Sequence, residues 1–449
     1  MTMHLRPTKG VLRIASALEA AGFEAWCVGG AIRDALLGDA PLDWDLATPA
    51  TPEDVRSLFG RRRTIPVGIE FGTVKVLDDE GVPHEITTFR RDVKTDGRHA
   101  VVEFGATLDE DLARRDFTIN AIAYRPRTDE VRDPFGGRDD LAEGVVRAVG
   151  DAEQRMREDR LRALRAIRFA GRYAFAIEPS TLAAIRSSAP HLTRLSHERV
   201  QQEIVKTLEQ VPLPSRAFGL WREVGAFEVL VPSLATLDEV ALATLDALPR
   251  AGEGAMLRPQ RTLNRLAALF LDVEPADARR TLVGLRFSKH ETGWVVALAE
   301  RWRDLGGEMT SALAERRPTD LEARRWLARL GRLHAGAFLR VALARWQAMA
   351  RVGRRAPDES AVRSLHRRMR ASQFRDPIEV ADLAVTGDDL RRAGIPAGPI
   401  YAKILHALLE RVLEDPVRNT PEALLAEVPT IVAALGRGSG SRVQPTSEH

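Results

Sequence analysis

The sequence predicts an α+β protein, with a small mixed sheet and helices over residues 1–150 followed by an all-α arm. Three observations predict this. Short apolar strand-like runs alternate with helical patterns as far as Gly150. From 151 to 435 helical periodicity takes over and strand signals almost vanish. The 449 residues are too many for one small domain and enough to bury several cores.

Taken in order, Ala25–Val28 is a short strand, Gly29-Gly30 turns, and Ala31–Leu37 is a helix. Asp43–Ala47 is extended. Pro52–Phe59 is a helix capped by Thr51, with Pro52 at its first position. Gly72–Leu77 and His84–Phe89 alternate like paired strands around the turn Asp78–Gly81. Thr107-Leu108-Asp109-Glu110 is a capping box that opens another helix. The arm is punctuated at Pro179, Pro190, Pro212–Pro214, Pro232, Gly252–Gly254, Pro318, Pro357 and Pro377. Residues 436–449, rich in Gly, Ser and Pro, are expected to be disordered. No internal repeat is visible.

Composition narrows the setting. One cysteine, Cys27, excludes a disulfide framework. With no signal peptide and no long apolar run, the expectation is a cytoplasmic protein without a membrane partner. The net charge is only +3, but the cations are nearly all arginine, with six lysines in the whole chain. Guanidinium forks pair bidentately with phosphates and base edges, so the composition permits a nucleic-acid partner without establishing one.

The candidate chemistry lies in the first part. Asp43 and Asp45 stand at i and i+2, a spacing that on a strand turns both carboxylates to one face. Such a pair can bridge two divalent ions, Mg2+ by default, and hold a triphosphate for in-line displacement. Gly29 and Gly30 follow an apolar strand and precede a helix, where backbone N–H groups can meet phosphate oxygens. Arg33 lies one turn into that helix and reaches the same phosphates, with Asp34 beside it to orient it. Glu85, on a neighbouring strand whose other face carries Ile86 and Thr88, is the candidate third carboxylate.

These residues carry a resemblance. Val28-Gly29-Gly30-Ala31-Ile32-Arg33-Asp34-Ala35-Leu36-Leu37-Gly38, followed by Asp43-Trp44-Asp45, resembles the signature of the class II tRNA nucleotidyltransferase and bacterial poly(A) polymerase family. Further segments follow in the family's order. Arg114-Arg115-Asp116-Phe117-Thr118-Ile119-Asn120-Ala121 resembles its ribose- and phosphate-contacting motif, which implies nucleotide contacts for Arg114, Arg115, Asp116 and Asn120. Asp133-Pro134-Phe135-Gly136-Gly137 with Asp139-Asp140-Leu141 resembles its hinge motif. Glu158-Asp159-Arg160-Leu161-Arg162 resembles its nucleotide-selecting motif, and Glu198-Arg199 with Glu203 and Lys206 the helix motif that braces it. The resemblance implies a nucleotidyltransferase head at 1–150, a helical neck at 151–215, a body at 216–375 and a tRNA-binding tail at 376–435. It implies template-independent addition of C, C and A from CTP and ATP to tRNA, with no obligate protein partner evident.

Base choice has its own physical reading. Asp159 and Arg162, i and i+3 on a predicted helix, are neighbours on one face. A carboxylate accepts from an exocyclic amine and a guanidinium donates to ring acceptors. Cytosine and adenine share that amine-plus-acceptor edge, and uracil and guanine reverse it. Arg165 and Arg168 continue the stripe, and the resemblance implies that both line the nucleotide and primer site.

Alternatives remain within the family. The segment Thr64–Val76, above all its core Phe71-Gly72-Thr73-Val74, resembles the tRNA-adding branch more than poly(A) polymerases. A full charged loop, Arg90–His99, argues against an enzyme that adds only C. An enzyme that adds only the terminal A stays open, and a non-catalytic RNA-binding scaffold is the remote alternative. In the arm, Leu271 of Leu271-Asp272 stands where many relatives carry a phosphohydrolase histidine, so no second activity is expected. The tryptophans, as at Trp221, Trp326 and Trp346, sit among apolar helical positions and are read as core.

Overall fold

The computed structural model describes residues 5–41, 43–95, 100–249 and 258–437; the expected disorder of 436–449 falls almost wholly outside them. The chain divides into two units, residues 1–236 with 281–287, and residues 237–280 with 288–449.

The first unit is built on a seven-stranded mixed sheet. Its strands are β1 (Trp26–Val28), β2 (Asp45–Thr48), β3 (Thr64–Pro66), β4 (Thr73–Leu77), β5 (Pro83–Thr88), β8 (Ala123–Arg125) and β9 (Glu130–Arg132), in the order β3-β4-β5-β2-β1-β8-β9. Only β2 and β5 run parallel; their register pairs Leu46 with Ile86. The intervening β6 (Arg90–Thr95) and β7 (Ala100–Phe104) form a separate antiparallel ribbon. The stretch expected as a loop at 90–99 is therefore a strand over most of its described length. The reason is cross-strand pairing: Arg91 stands opposite Glu103, and their side chains bond at 3.0 Å.

Helices α1 (Lys9–Ala20), α2 (Gly30–Leu36), α3 (Pro52–Phe59), α4 (Leu108–Ala113) and α5 (Gly137–Glu143) accompany the sheet. The caps expected at Thr51 and Thr107 are both reciprocal capping boxes. Trp26, Val28, Ala47, Phe89, Leu112, Ala121, Ala123 and Val149 pack into one buried core. Two glycines are dictated by geometry. Gly29 adopts φ 79°, ψ −140°, which a side chain would strain. A Cβ on Gly137 would lie 2.2 Å from the Thr118 carbonyl oxygen, so only glycine lets α5 approach that turn.

Four further helices, α6 (Ala152–Glu158), α7 (Leu161–Tyr173), α8 (Pro179–Ser188) and α9 (His197–Gln210), continue the first unit. One short strand pair persists among them, β10 (Val145–Val146) running parallel to β11 (Ala176–Ile177). In the second unit the described elements are helical, the longest being Lys289–Glu315 and Arg332–Arg351. Trp221 in the first unit and Trp326 and Trp346 in the second are buried, as core residues should be. Among the described residues no helix is long and apolar enough to cross a membrane.

Candidate nucleotide-binding cleft

A cleft of about 520 Å³ in the first unit gathers most of the residues singled out from the sequence: Gly29, Gly30, Arg33, Asp45, Arg114, Arg115, Asp116, Asn120, Asp159, Arg162 and Arg165. Leu161, Phe169 and Arg199 complete the lining. Six guanidiniums (Arg33, Arg114, Arg115, Arg162, Arg165, Arg199) thus face three carboxylates (Asp45, Asp116, Asp159). Such an excess suits a polyanion.

The acidic edge is fixed by Trp44. Its ring is buried and its indole N–H donates to the Pro41 carbonyl at 2.8 Å. With Trp44 anchored inward, the flanking Asp43 and Asp45 are turned the other way. Asp45 opens β2, whereas Asp43 precedes the strand and is exposed. Glu85 on β5 lies beside Asp45 by the parallel register and faces Lys75 on β4 at 4.0 Å. Burial, with help from the charges of Glu85 and Asp43, pushes the Asp45 carboxyl up to about 6, against the pull of Arg115 and Lys75. Asp43 and Glu85 adjoin the cleft without lining it. Among the described residues no group of three or more His, Cys, Asp or Glu side chains is gathered tightly enough to hold a metal unaided.

The opposite wall is made of committed arginines. Asp111, buried and not singled out from the sequence, accepts from Arg114 at 2.7 and 2.9 Å and from Arg115 at 3.2 Å. Its only sequence signal is its place in the first turn of α4, three and four residues before the arginine pair. Arg33 donates to Asp34 at 2.8 Å and to Asn120 at 2.5 Å, and Asn120 donates to Asp116 at 2.9 Å. Arg165 pairs with Asp116 at 2.6 Å. Burial pushes the Asp116 carboxyl up, but the Arg165 charge and the Asn120 amide outweigh it and hold the group below the usual range.

The base-reading pair differs from expectation. Asp159 is not on a helix face: it sits extended, at φ −147°, ψ 106°, in the break between α6 and α7. Its carboxylate accepts from the Leu161 N–H at 3.0 Å and from Arg199 at 2.7 Å. A short acid bonding the backbone two residues on competes with helix continuation. Arg162, on α7, donates to Glu158 at 2.8 Å and to the Arg114 carbonyl at 2.9 Å. Both side chains still reach the cleft from the two sides of the break.

Arg168 is the one expected arginine on α7 that does not line the cleft. It is buried against α9, donating to Glu203 at 2.7 Å and Gln210 at 3.0 Å. Residues at three-residue steps drift around a helix by about 60° each, so Arg168 lies about 120° from Arg162. Phe169, also not anticipated, lies close to three cations. The guanidinium carbons of Arg33, Arg165 and Arg168 stand 5.0, 5.5 and 4.6 Å from its ring centre.

Comparison with known proteins places this geometry in a family. Residues 25–147 match the model described as the poly A polymerase head domain. Residues 174–237 match a probable RNA- and SrmB-binding site of polymerase A, and 342–428 a putative tRNA nucleotidyltransferase domain 2. A CCA-adding enzyme of Leuconostoc mesenteroides is 50% identical over 197 residues, 43% of this chain and about half (48%) of that relative. The solved structure of the Bacillus stearothermophilus CCA-adding enzyme in complex with CTP superposes with a TM-score of 0.72 at 32% identity, covering 96% of this chain and 98% of that one. The CCA-adding enzyme of Geobacillus kaustophilus is 35% identical over 425 residues, 94% of this chain and 96% of its own length. On that near-complete match this chain belongs to the CCA-adding enzymes, a nucleotidyltransferase family that in general depends on divalent metal ions.

Proposed function

We infer that this protein adds C, C and A in turn, from CTP and ATP and without a template, to the 3′ end of tRNA, releasing pyrophosphate at each step, in the cytoplasm. One observation carries the reading: the phosphate-facing turn Gly29-Gly30, the acidic edge at Asp45 and the base-facing pair Asp159 and Arg162 open onto one cavity of nucleotide size.

In each cycle the 3′ hydroxyl oxygen attacks the α-phosphorus, a new P–O bond forms, and the bond to the pyrophosphate oxygen breaks. The Gly29-Gly30 turn and Arg33 bind the phosphates, and Arg114 and Arg115, held rigid by Asp111, offer donors along the ribose and phosphates. The geometry of the acids suits the family's metal requirement. Two carboxylates that repel each other, one of them with a raised pKa, suit a divalent cation that would offset their charge. Asp43 and Asp45 would hold Mg2+ there, which supplies charge neutralisation and a more acidic 3′ hydroxyl. Glu85, beside Asp45, receives the hydroxyl proton at its carboxylate. Asp159 accepts from the exocyclic amine of C or A, and Arg162 donates to the adjacent ring acceptor.

An extension assay tests this. Purified protein is given tRNA ending at the discriminator base, and each labelled nucleoside triphosphate in turn. Incorporation of C twice and then A, dependent on a divalent ion, is the expected result. Addition of A alone, or an unlimited A tail, would replace this reading with one of the family alternatives.

A further inference from the structure

Asp34 stands on α2, next to Arg33, and its two carboxylate oxygens are shared between two parts of the fold. Oδ1 accepts from its own neighbour Arg33 at 2.8 Å and from the Tyr173 hydroxyl at 2.7 Å. Oδ2 accepts from Arg172 at 3.3 Å. Arg172 and Tyr173 form the last turn of α7, the helix whose first turns carry Arg162 and Arg165. The Arg33 guanidinium carbon lies 5.0 Å from the ring centres of both Phe169 and Tyr173, and those rings stack 18° apart in plane angle. One end of α7 therefore faces the base, and the other grips the helix that follows the phosphate-facing turn.

We propose that Tyr173 is a positioning residue: its hydroxyl, through Asp34, fixes Arg33 and the Gly29-Gly30 turn relative to the base-reading end of α7. The proposal rests on the reading of the cleft as the nucleotide site. The physical reason is the direction of each bond. Arg33 has little freedom of its own, because Asp34 holds its Nε and Asn120 its Nη1. Among the described residues, the Asp34 carboxylate in turn accepts from outside α2 only from residues of α7. Burial pushes the Tyr173 phenol well above its usual range, so it stays a proton donor at any working pH. Without that donor Asp34 keeps Arg33, and beside the ring contacts of Arg33 the remaining bond of Asp34 to α7 is the longer one from Arg172. The triphosphate and the base edge then lose their common register. Displacement of the α-phosphorus relative to a paired base lowers turnover, and a base edge held less firmly is discriminated less well.

Tyr173→Phe tests this, because it keeps the ring over Arg33 and removes only the hydroxyl. The expected result is a fall of about tenfold in kcat for C addition, the worth of one hydrogen bond to a charged group, with KM for CTP moving less. The preference for CTP over UTP should fall by a similar factor, with the thermal midpoint lowered by no more than about 5 °C. Asp34→Asn combined with Tyr173→Phe should lose less than the product of the two single effects. Amide hydrogen exchange over Ala31–Leu36 should quicken in Tyr173→Phe and stay unchanged in β2, a readout that does not need turnover. A preference for CTP over UTP within twofold of the wild type, or unchanged exchange in α2, overturns the proposal. A wild type that adds neither C nor A to tRNA would defeat the functional reading instead, with the exchange measurement still deciding the role of Tyr173.

Discussion

At Asp45 burial and two neighbouring carboxylates hold the proton up to about pH 6, which is the reverse of the usual Asp behaviour in a folded protein. The sign follows directly. The folded pKa lies above the unfolded one, so the folded state binds the proton more tightly and stability is lost as pH rises from about 4 to 6. Above that window the penalty is complete. Asp45→Asn in metal-free buffer should therefore raise the thermal midpoint at pH 7–8, with the gain vanishing below about pH 4, while nucleotide addition is abolished. Asp43→Ala should likewise abolish addition, and both variants should still bind tRNA in a filter or anisotropy assay. A midpoint that is unmoved at pH 8, or either variant with normal incorporation, would refute the role given to this edge. Arg168 calls for the opposite pattern. Its partner Glu203 is as deeply buried as Arg168 itself, and breaking such a pair leaves an uncompensated charge inside. Arg168→Ala should cost about 3–5 kcal/mol in a denaturant melt, while KM for CTP in the molecules that remain folded stays near wild type. A raised KM at unchanged stability would return Arg168 to the cleft.

At the scale of elements, α7 and the β6–β7 ribbon carry separable functions. Asp159→Arg reverses the polarity of one base contact and breaks the ion pair with Arg199. CTP and ATP incorporation should fall together by about tenfold or more per lost contact, and UTP and GTP should gain relative to CTP. An intact preference for C and A would mean that base choice lies elsewhere. Truncating Arg91–His99 should spare C addition and impair A addition, on the reading that this segment reshapes the pocket between the two bases; equal loss of both in single-turnover assays would contradict it. What was legible in advance depended on the kind of signal. The strand-turn-helix at Gly29-Gly30, the caps at Thr51 and Thr107 and the alternation at His84–Phe89 rest on local stereochemistry, and all three formed. Spacing alone predicts a helical Asp159, because it does not reveal that the side chain bonds the Leu161 N–H. The family resemblance implies a place in the cleft for Arg168, but three-residue steps wind around the helix and carry its side chain to Glu203 on α9. The charged run Arg90–Thr95 hides a strand, β6, whose stability comes from pairing with β7. Tyr173 gave no signal, since its meaning depends on Asp34, 139 positions away.

At the scale of the whole molecule, the residues read as catalytic, nucleotide-binding and base-selecting all belong to the first unit. The second is helical where described and is matched over 342–428 by a tRNA nucleotidyltransferase domain model. We propose that this unit holds tRNA through the RNA backbone, so tRNA affinity should fall steeply with salt, as phosphate contacts release counterions. A second chemistry in this unit is not expected, and the reason is specific. At the site where a phosphohydrolase histidine would stand, Leu271 is buried at 3% exposure and offers no ligand. The neighbouring Asp272 is engaged by Arg345 at 2.6 Å, so its charge is neutralised by a guanidinium that is itself largely buried. A metal at Asp272 would have to displace that cation and would find no imidazole beside it, and hard or borderline divalent ions bound by one carboxylate alone are held weakly. The intact protein incubated with 2′,3′-cyclic nucleotide or a phosphodiester in Mn2+ or Ni2+ should show no hydrolysis above the metal-only control, and Asp272→Ala should leave nucleotide addition unchanged within twofold. Metal-dependent hydrolysis by the intact protein that disappears in Asp272→Ala would establish a second active site and overturn the argument from Leu271.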